Sequence, residues 1–235
     1  MATLYQRSTI GALLAGVFDG TETVGELLRH GDFGLGTFNA LDGELVVFDG
    51  IAYQVTSDGR ASLVPRGKRT PFAAVTQFVA EHTLELQRAL RREDAATLIH
   101  AAARSENITM AVRITGHFRH ILMRTVAAQT RPYPQLDEAT RNEVEVTVSD
   151  VRGTLIGFRT PEFEHSIGVA GYHLHFLSDD RETGGHMLDF TLASGEIALM
   201  EITDIHLSLP TSGAFLTADL DPVGGDDKIR AAEGS

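Results

Sequence analysis

The chain has 235 residues, of which 43% are hydrophobic and 22% charged, and its formal net charge is −12. That length can bury a real core, while the acidic balance withholds the basic footprint of a nucleic-acid binder. With no cysteine, disulfides, thiolate metal sites and cysteine nucleophiles are excluded.

The first apolar run, "IGALLAGVF" at 10–18, has the length of a secretory h-region. The following "DGTETVGEL" offers no small-x-small cleavage site, so the run is read as folded structure. No stretch approaches the ~20 apolar residues of a membrane span, and a soluble, cytoplasmic protein is expected. "TETVGELLRHGDFG" is a helix signal: Thr23 can cap, Glu26 closes a capping box three residues on, and Gly31 fits the stop. "GLGTFNALDGELVVFDGIAYQVTSDGRASLV" alternates short apolar runs with Gly and Asp-Gly, which predicts antiparallel strands and tight turns.

"RTPFAAVTQFVAEHTLELQRALRR" predicts a helix capped by Thr70, with Pro71 at its first position and Phe72, Val75, Phe78 and Val79 on one buried face. A second helix is predicted over 94–104. "MAVRITGHFRHILMRTV" predicts two strands bent near Gly116. "AAQTRPYPQ", with two of the seven prolines, is the best junction. It divides the chain into an N-terminal mixed α/β sheet domain, 1–130, and a C-terminal β-rich domain, 131–235, ending in a tail able to cover a site. Beyond it come a short helix near 136–142, the strand-like "VEVTVSDVRGTLIGFRTP", a histidine segment, the strand "GEIALMEITDIHLSLP" and a Gly- and Asp-rich end. The class is α/β in the α+β sense: mixed and antiparallel β-sheets, few helices, two β-rich halves.

The histidine segment reads "GYHLHFLSDDRETGGHMLDF" and holds three of the ten histidines. In "YHLHF" the neighbours are β-formers, so alternation puts His173 and His175 on one face and turns Leu174 and Phe176 to the other. "LSDDRETGG" suits a hairpin turn, which returns His186 near its partners. A lone hairpin histidine is ordinarily solvated, and HxH pairs occur in plain sheets. The third histidine across the turn points to a metal, and three neutral imidazoles suit Zn²⁺ with open positions. Among the other histidines only His206 is a candidate fourth ligand. Such a site names no reaction: a zinc hydrolase, a decarboxylase and a non-haem iron oxygenase could each start from it.

Two further side chains draw notice. Glu44 follows the Asp-Gly of "NALDGELVVFDG" at the start of an apolar strand, where a carboxylate is often merely solvated. Arg124 in "FRHILMRTV" shares strand parity with Phe118, His120 and Leu122, so it should face an apolar side and want a carboxylate from the protein or from a substrate.

Together "STIGALLAGVFDG", "GDFGLGTFNALDGELVVFDG", "GRASLVPRGKRTPFAAVTQF", "VRITGHFRHILMRTV", "GTLIGFRTPEF" and "GVAGYHLHFLSDDRETGGHMLDF" resemble the signatures of the α-acetolactate decarboxylase family, in its order and over nearly the whole chain. By position, the resemblance implies zinc ligands at His173, His175 and His186, an active-site glutamate at Glu44 and an active-site arginine at Arg124. It also implies a tail glutamate over the site, best matched by Glu233, with Asp226 and Asp227 as rivals. The implied activity is that of a carboxy-lyase converting (S)-2-acetolactate to (R)-acetoin and CO₂, in the acetoin and butanediol branch. Zinc would chelate substrate oxygens and stabilise the enediolate, and Glu44, Arg124 or a metal-bound water would deliver the stereospecific proton. No organic cofactor, nucleic acid or membrane is implied, and a homodimer is. Two rivals remain: a cupin-like metal-dependent oxygenase using Asp179 and His206, and a non-enzymatic, metal-stabilised small-molecule binding module.

Overall fold

Glycine and aspartate cut the first third of the chain into short strands, and a run of β-branched residues makes long ones of the last half. The computed structural model describes residues 2–211 and 213–220. β1 (Thr3–Arg7) leads into α1 (Ile10–Leu14), where Thr9 Oγ1 accepts the Ala12 amide at 3.1 Å and every helical residue is buried. The early apolar run is therefore core. After β2 (Glu22–Thr23), α2 (Val24–Leu27) starts on the predicted capping box, with Thr23 and Glu26 exchanging backbone-to-side-chain hydrogen bonds at 2.9 and 3.3 Å. β3 (Phe33–Thr37), β4 (Glu44–Phe48), β5 (Ile51–Val55) and β6 (Ala61–Leu63) form the antiparallel series that the turn residues predict.

The helix predicted from residue 70 does not form. β7 (Arg69–Thr70), β8 (Ala73–Thr76), β9 (His82–Leu86) and β10 (Leu90–Arg91) occupy that stretch. β8 lies between β1 and β3 with every residue buried, so its apolar run reports a strand covered on both faces and not a helical stripe. Thr70 Oγ1 donates to the Phe72 carbonyl at 2.8 Å and caps nothing. The second predicted helix is present as α3 (Arg92–Ala102).

β11 (Thr109–Thr125) is one strand of 17 residues where two were predicted. Gly116 faces Gly153 and Gly195 across the neighbouring strands, and a Cβ there would stand 2.3 Å from the Ser194 carbonyl oxygen. The close approach admits no side chain, and the register slips immediately after His117. α4 (Leu136–Ala139), β12 (Val144–Thr160), β13 (Gly171–Ser178), β14 (Gly184–Ile202) and β15 (Asp204–Ser208) follow.

Two large sheets result. One has seven strands in the order β15-β1-β8-β3-β4-β5-β6, antiparallel except for the parallel pair β1–β15. The other has six, β10-β14-β11-β12-β13 with β9 on β14, and β13 also pairs with β14, so the long strands curl upon themselves. A small pair, β2–β7, stands apart. Within the curl lie Val112, Ile114, Phe118, Phe176 and Phe190, with Ala95 and Ile99 of α3 packed on them. Ile156, Phe158 and Leu177 point the opposite way and pack against Leu35, Val46 and Tyr53 of the seven-stranded sheet. Neither sheet stops at the expected division after 130. β15 pairs with β1, while β9, β10 and β11 join strands from the C-terminal half, because β-pairing follows complementary faces and not chain proximity. No helix among the described residues is long and apolar enough to cross a membrane.

Candidate metal centre

Alternation along β13 decides which way the histidines point. His173 pairs with Phe158 and His175 with Ile156, so both imidazoles share the outer face, beneath the seven-stranded sheet, while Leu174 and Phe176 fill the curl. On β14, His186 stands opposite His175 on one side and opposite Arg124 of β11 on the other. One row across three strands thus reads Arg124, His186, His175. The ring centroids of the three histidines are 5.1 to 5.4 Å apart, each ring is buried, and one nitrogen from each lies within 4.8 Å of the others.

Local chemistry sets the spacing. Ser178, at the end of β13, bonds Asp180 at 2.5 Å and receives the Thr183 amide at 3.0 Å, which closes the hairpin. Gly184 then lets β14 begin hard against β13, since a Cβ there would stand 2.5 Å from the Phe176 carbonyl oxygen. The Asp-Asp and Gly-Gly pairs of the sequence therefore have separate tasks, the first in the turn and the second in close approach.

The opposite sheet supplies the next two groups from consecutive residues. Leu45 carbonyl oxygen lies 2.9 Å from His175 Nδ1, which must donate to it. That fixes the tautomer and leaves the Nε2 lone pair for a ligand. Glu44 Oε2 lies 3.4 Å from the same Nε2. Nε2 is buried, and the contact with Glu44 does not amount to a hydrogen bond. A buried imidazole nitrogen with a lone pair and no hydrogen, grouped with one nitrogen from each of two further buried imidazoles, suits a divalent cation, and the three histidines fit one.

Burial drives His175 down to about 4, helped by the Arg124 charge and opposed by the Leu45 hydrogen bond. Burial, His175 and Arg124 together hold His173 well below the usual range. Both are neutral at neutral pH, as ligands must be.

The turn that presents Glu44 is strained. Ala40 and Leu41 have φ of 64° and 52°, the left-handed region, at a cost of about 1 kcal/mol or more each. Several bonds hold it. The Ala40 amide donates to Phe18 O at 2.8 Å, Gln129 N donates to Ala40 O at 2.7 Å, Thr37 Oγ1 donates to Gly43 O at 2.9 Å, and Lys68 Nζ meets Asp42 Oδ2 at 2.8 Å. The strained backbone is thus over-determined by bonds from neighbouring elements.

Arg124 does not follow the predicted parity. Register shifts near Phe118 and after Leu122 leave Phe118, Ile121 and Met123 inside the curl and bring Arg124 to the opposite face, among the histidines. It is only 5% exposed. Its Nη1 meets both oxygens of Glu143, at 3.3 and 3.1 Å. Burial raises the Glu143 carboxyl above its ordinary range, against the pull of Arg124. Sequence reading missed Glu143, because nothing local separates it from the other carboxylates of a solvated strand.

A partly enclosed cavity joins these groups. Thr37, Glu44, Arg124, His173 and His186 form its polar side, and Leu13, Leu41, Phe72, Val126 and Leu136 its apolar side. The rival ligands lie elsewhere. Asp179 is half exposed and paired with Arg152, and His206 sits on the edge strand β15 against Tyr5. Glu233, Asp226 and Asp227 fall outside the described residues.

A family model described as alpha-acetolactate decarboxylase matches residues 4–222. The chain belongs to the alpha-acetolactate decarboxylase family. It is an enzyme of the carboxy-lyase class. Relatives named alpha-acetolactate decarboxylase from Raoultella terrigena and Bacillus subtilis (strain 168) are 43% and 39% identical, over 99% and 100% of this chain and 90% and 92% of theirs. The crystal structure of alpha-acetolactate decarboxylase from Bacillus subtilis strain 168 superimposes with a TM-score of 0.97 at 39% identity, covering 99% of this chain and all 100% of that one. A Staphylococcus aureus structure described as similar to alpha-acetolactate decarboxylase gives 0.95 at 36% identity, covering 98% and 100%.

Proposed function

We propose that this enzyme decarboxylates (S)-2-acetolactate to (R)-acetoin with a divalent cation held by His173, His175 and His186. One observation carries the reading: the row Arg124, His186, His175 in register on one face, with Glu44 brought to His175 from the other sheet. When bound, such a cation polarises the hydroxyl and keto oxygens of a 2-hydroxy-3-keto acid and offsets the charge left by departing CO₂. Leu45 holds the His175 ring in the tautomer and orientation that ligation needs. Arg124 receives the substrate carboxylate, and its burial strengthens that contact.

Breaking the bond to CO₂ leaves an electron pair on the substrate carbon, and a proton must replace the lost group there. Glu44 is the carboxylate placed to carry it, from a turn rigid enough to fix which face is protonated. The apolar side of the cavity takes the two methyl groups and keeps bulk water from the charge. Zinc as the ion, the (S)-to-(R) course and a homodimer rest on the family resemblance. Support for Glu233 as a tail contribution comes from the chain's path. The Leu220 carbonyl lies against Gly11 of α1, Leu13 of that helix lines the cavity, and 15 residues follow.

The test is acetoin formation from racemic acetolactate by protein of known metal content, beside His175→Ala. One metal per chain with chiral acetoin, both lost in the variant, is the expected result. Bound metal without acetoin would discard the substrate.

A further inference from the structure

We infer that Glu143 tempers Arg124, so that the site binds the substrate carboxylate without holding it too tightly to release as CO₂. This rests on the reading that Arg124 receives that carboxylate. Both Glu143 oxygens converge on the single nitrogen Nη1. That is not the two-pronged fork by which a carboxylate fixes an arginine's aim, so the contact adjusts charge more than direction. Arg124 is almost wholly buried whereas the Glu143 side chain is 20% exposed, so water screens the cation poorly and Glu143 supplies a countercharge at short range. Arg124 lines the cavity beside His173 and His186, whereas Glu143 lies outside that lining, on a separate open hollow with Asp137, Arg141 and Glu145, so it meets the arginine and not the substrate space. Glu145, opposite Arg124 in the β11–β12 register, is exposed to solvent and less able to act.

The reaction makes the strength of this cation matter. The substrate enters with its charge on the carboxylate. As the C–C bond breaks, the electron pair passes to the remaining carbon skeleton and CO₂ departs neutral. A contact with the carboxylate is therefore strongest before the step and weakens during it. Binding of that kind lowers KM and kcat together and leaves kcat/KM in place. A buried arginine with no countercharge would do this in full measure. Glu143 acts through Arg124 and is a positioning residue in the electrostatic sense.

Glu143→Gln keeps shape and removes charge. The expected result, on metal-loaded protein with wild-type Tm, is KM and kcat each lower by roughly threefold to tenfold, with kcat/KM within about twofold. A competitive carboxylate that cannot decarboxylate, 2-hydroxy-2-methylbutanoate, should bind tighter by the same factor as the fall in KM. Glu143→Asp draws the charge back by one methylene, and should shift KM and kcat in the same direction by less. It also serves if Glu143→Gln does not fold. A merely structural role gives the opposite split, KM up and kcat/KM down, and that pattern in either folded variant overturns the inference. Full turnover with unchanged KM in Arg124→Gln would instead remove the reading on which the inference stands.

Discussion

Gly184→Ala asks whether the metal centre depends on how closely β14 starts against β13. The added Cβ would stand 2.5 Å from the Phe176 carbonyl oxygen and 2.8 Å from Val55 Cγ2, where ordinary contact begins at 3.4 Å. One obstacle is backbone and the other a buried, branched side chain, so the strand itself must move, by roughly 0.9 Å at the first contact. Gly184 pairs with Leu177 and His186 with His175, two positions along, so the displacement reaches the ligand row. Overpacking of this kind costs about 1–3 kcal/mol, a fall in Tm of roughly 2–12 °C for a chain this long. Metal affinity should fall about 10- to 100-fold, the usual penalty for disturbing what orients a ligand. Scanning calorimetry of metal-free protein reads the first effect, and competition with a chelating dye reads the second. Gly67→Ala is the control, because nothing lies within 4 Å of its added Cβ, and it should change stability by less than about 0.5 kcal/mol. Wild-type Tm and affinity in Gly184→Ala would show that the two strands part freely and that their closeness does not set the ligand spacing.

Three other outcomes follow from the same geometry. Glu44→Gln should keep its metal yet lose about 10²- to 10⁴-fold in kcat, the range for a lost acid–base group; polarimetry of the acetoin formed reads rate and stereochemistry together, and an unchanged rate removes Glu44 from proton transfer. In metal-free protein His175 titrates at about 4 when folded, against about 6.5 unfolded. The unfolded chain therefore takes up the proton first. The stability contribution is full above pH 6.5 and drains away toward pH 4, by about 3 kcal/mol. Urea unfolding of His175→Gln should lack that part of the slope, and identical slopes would refute the assignment. Phe118 is fully buried, edge-on to Phe176 and Phe190 at 5.4 and 5.8 Å. Phe118→Ala should cost about 3–5 kcal/mol in urea, and a loss under about 1 kcal/mol would mean that the curl is not close-packed.

What the sequence disclosed was local. A period of two placed His173 and His175 together and Leu174 and Phe176 away, the hairpin residues returned His186, and Thr23 with Glu26 announced the start of a helix, which ends at Leu27, short of the expected stop at Gly31. Each of these depends on neighbours within a dozen positions. The errors came where a distant partner decided. The stretch after Pro71 became strands because β1 and β3 bury both faces of β8, which imitates the apolar density of a helix. Arg124 changed face because β11 slips in register against β14, a bulge that no local pattern marks. Glu143 stayed hidden because its meaning lies in an ion pair across 19 residues. The glutamate turn was read in part: its Asp-Gly was noticed, whereas the left-handed Ala40 and Leu41 are imposed by bonds from Phe18 and Gln129.

The parallel pairing of β1 with β15 sets an order for synthesis. A growing chain can pair β1 with β8 once about 76 residues have emerged, but the other edge of β1 has no partner until residues 204–208 appear. Through most of translation that edge stays open, a strand that a neighbouring nascent chain could join. The ligand row is late as well, since His186 and Leu45 lie some 140 residues apart and no part of the protein made earlier can hold a metal in this geometry. The ligand row therefore cannot form before residue 186 is made, nor this edge of β1 be covered before residues 204–208 are. A copy released before residue 186 would lack the ligand row and keep the β1 edge open to a neighbouring chain.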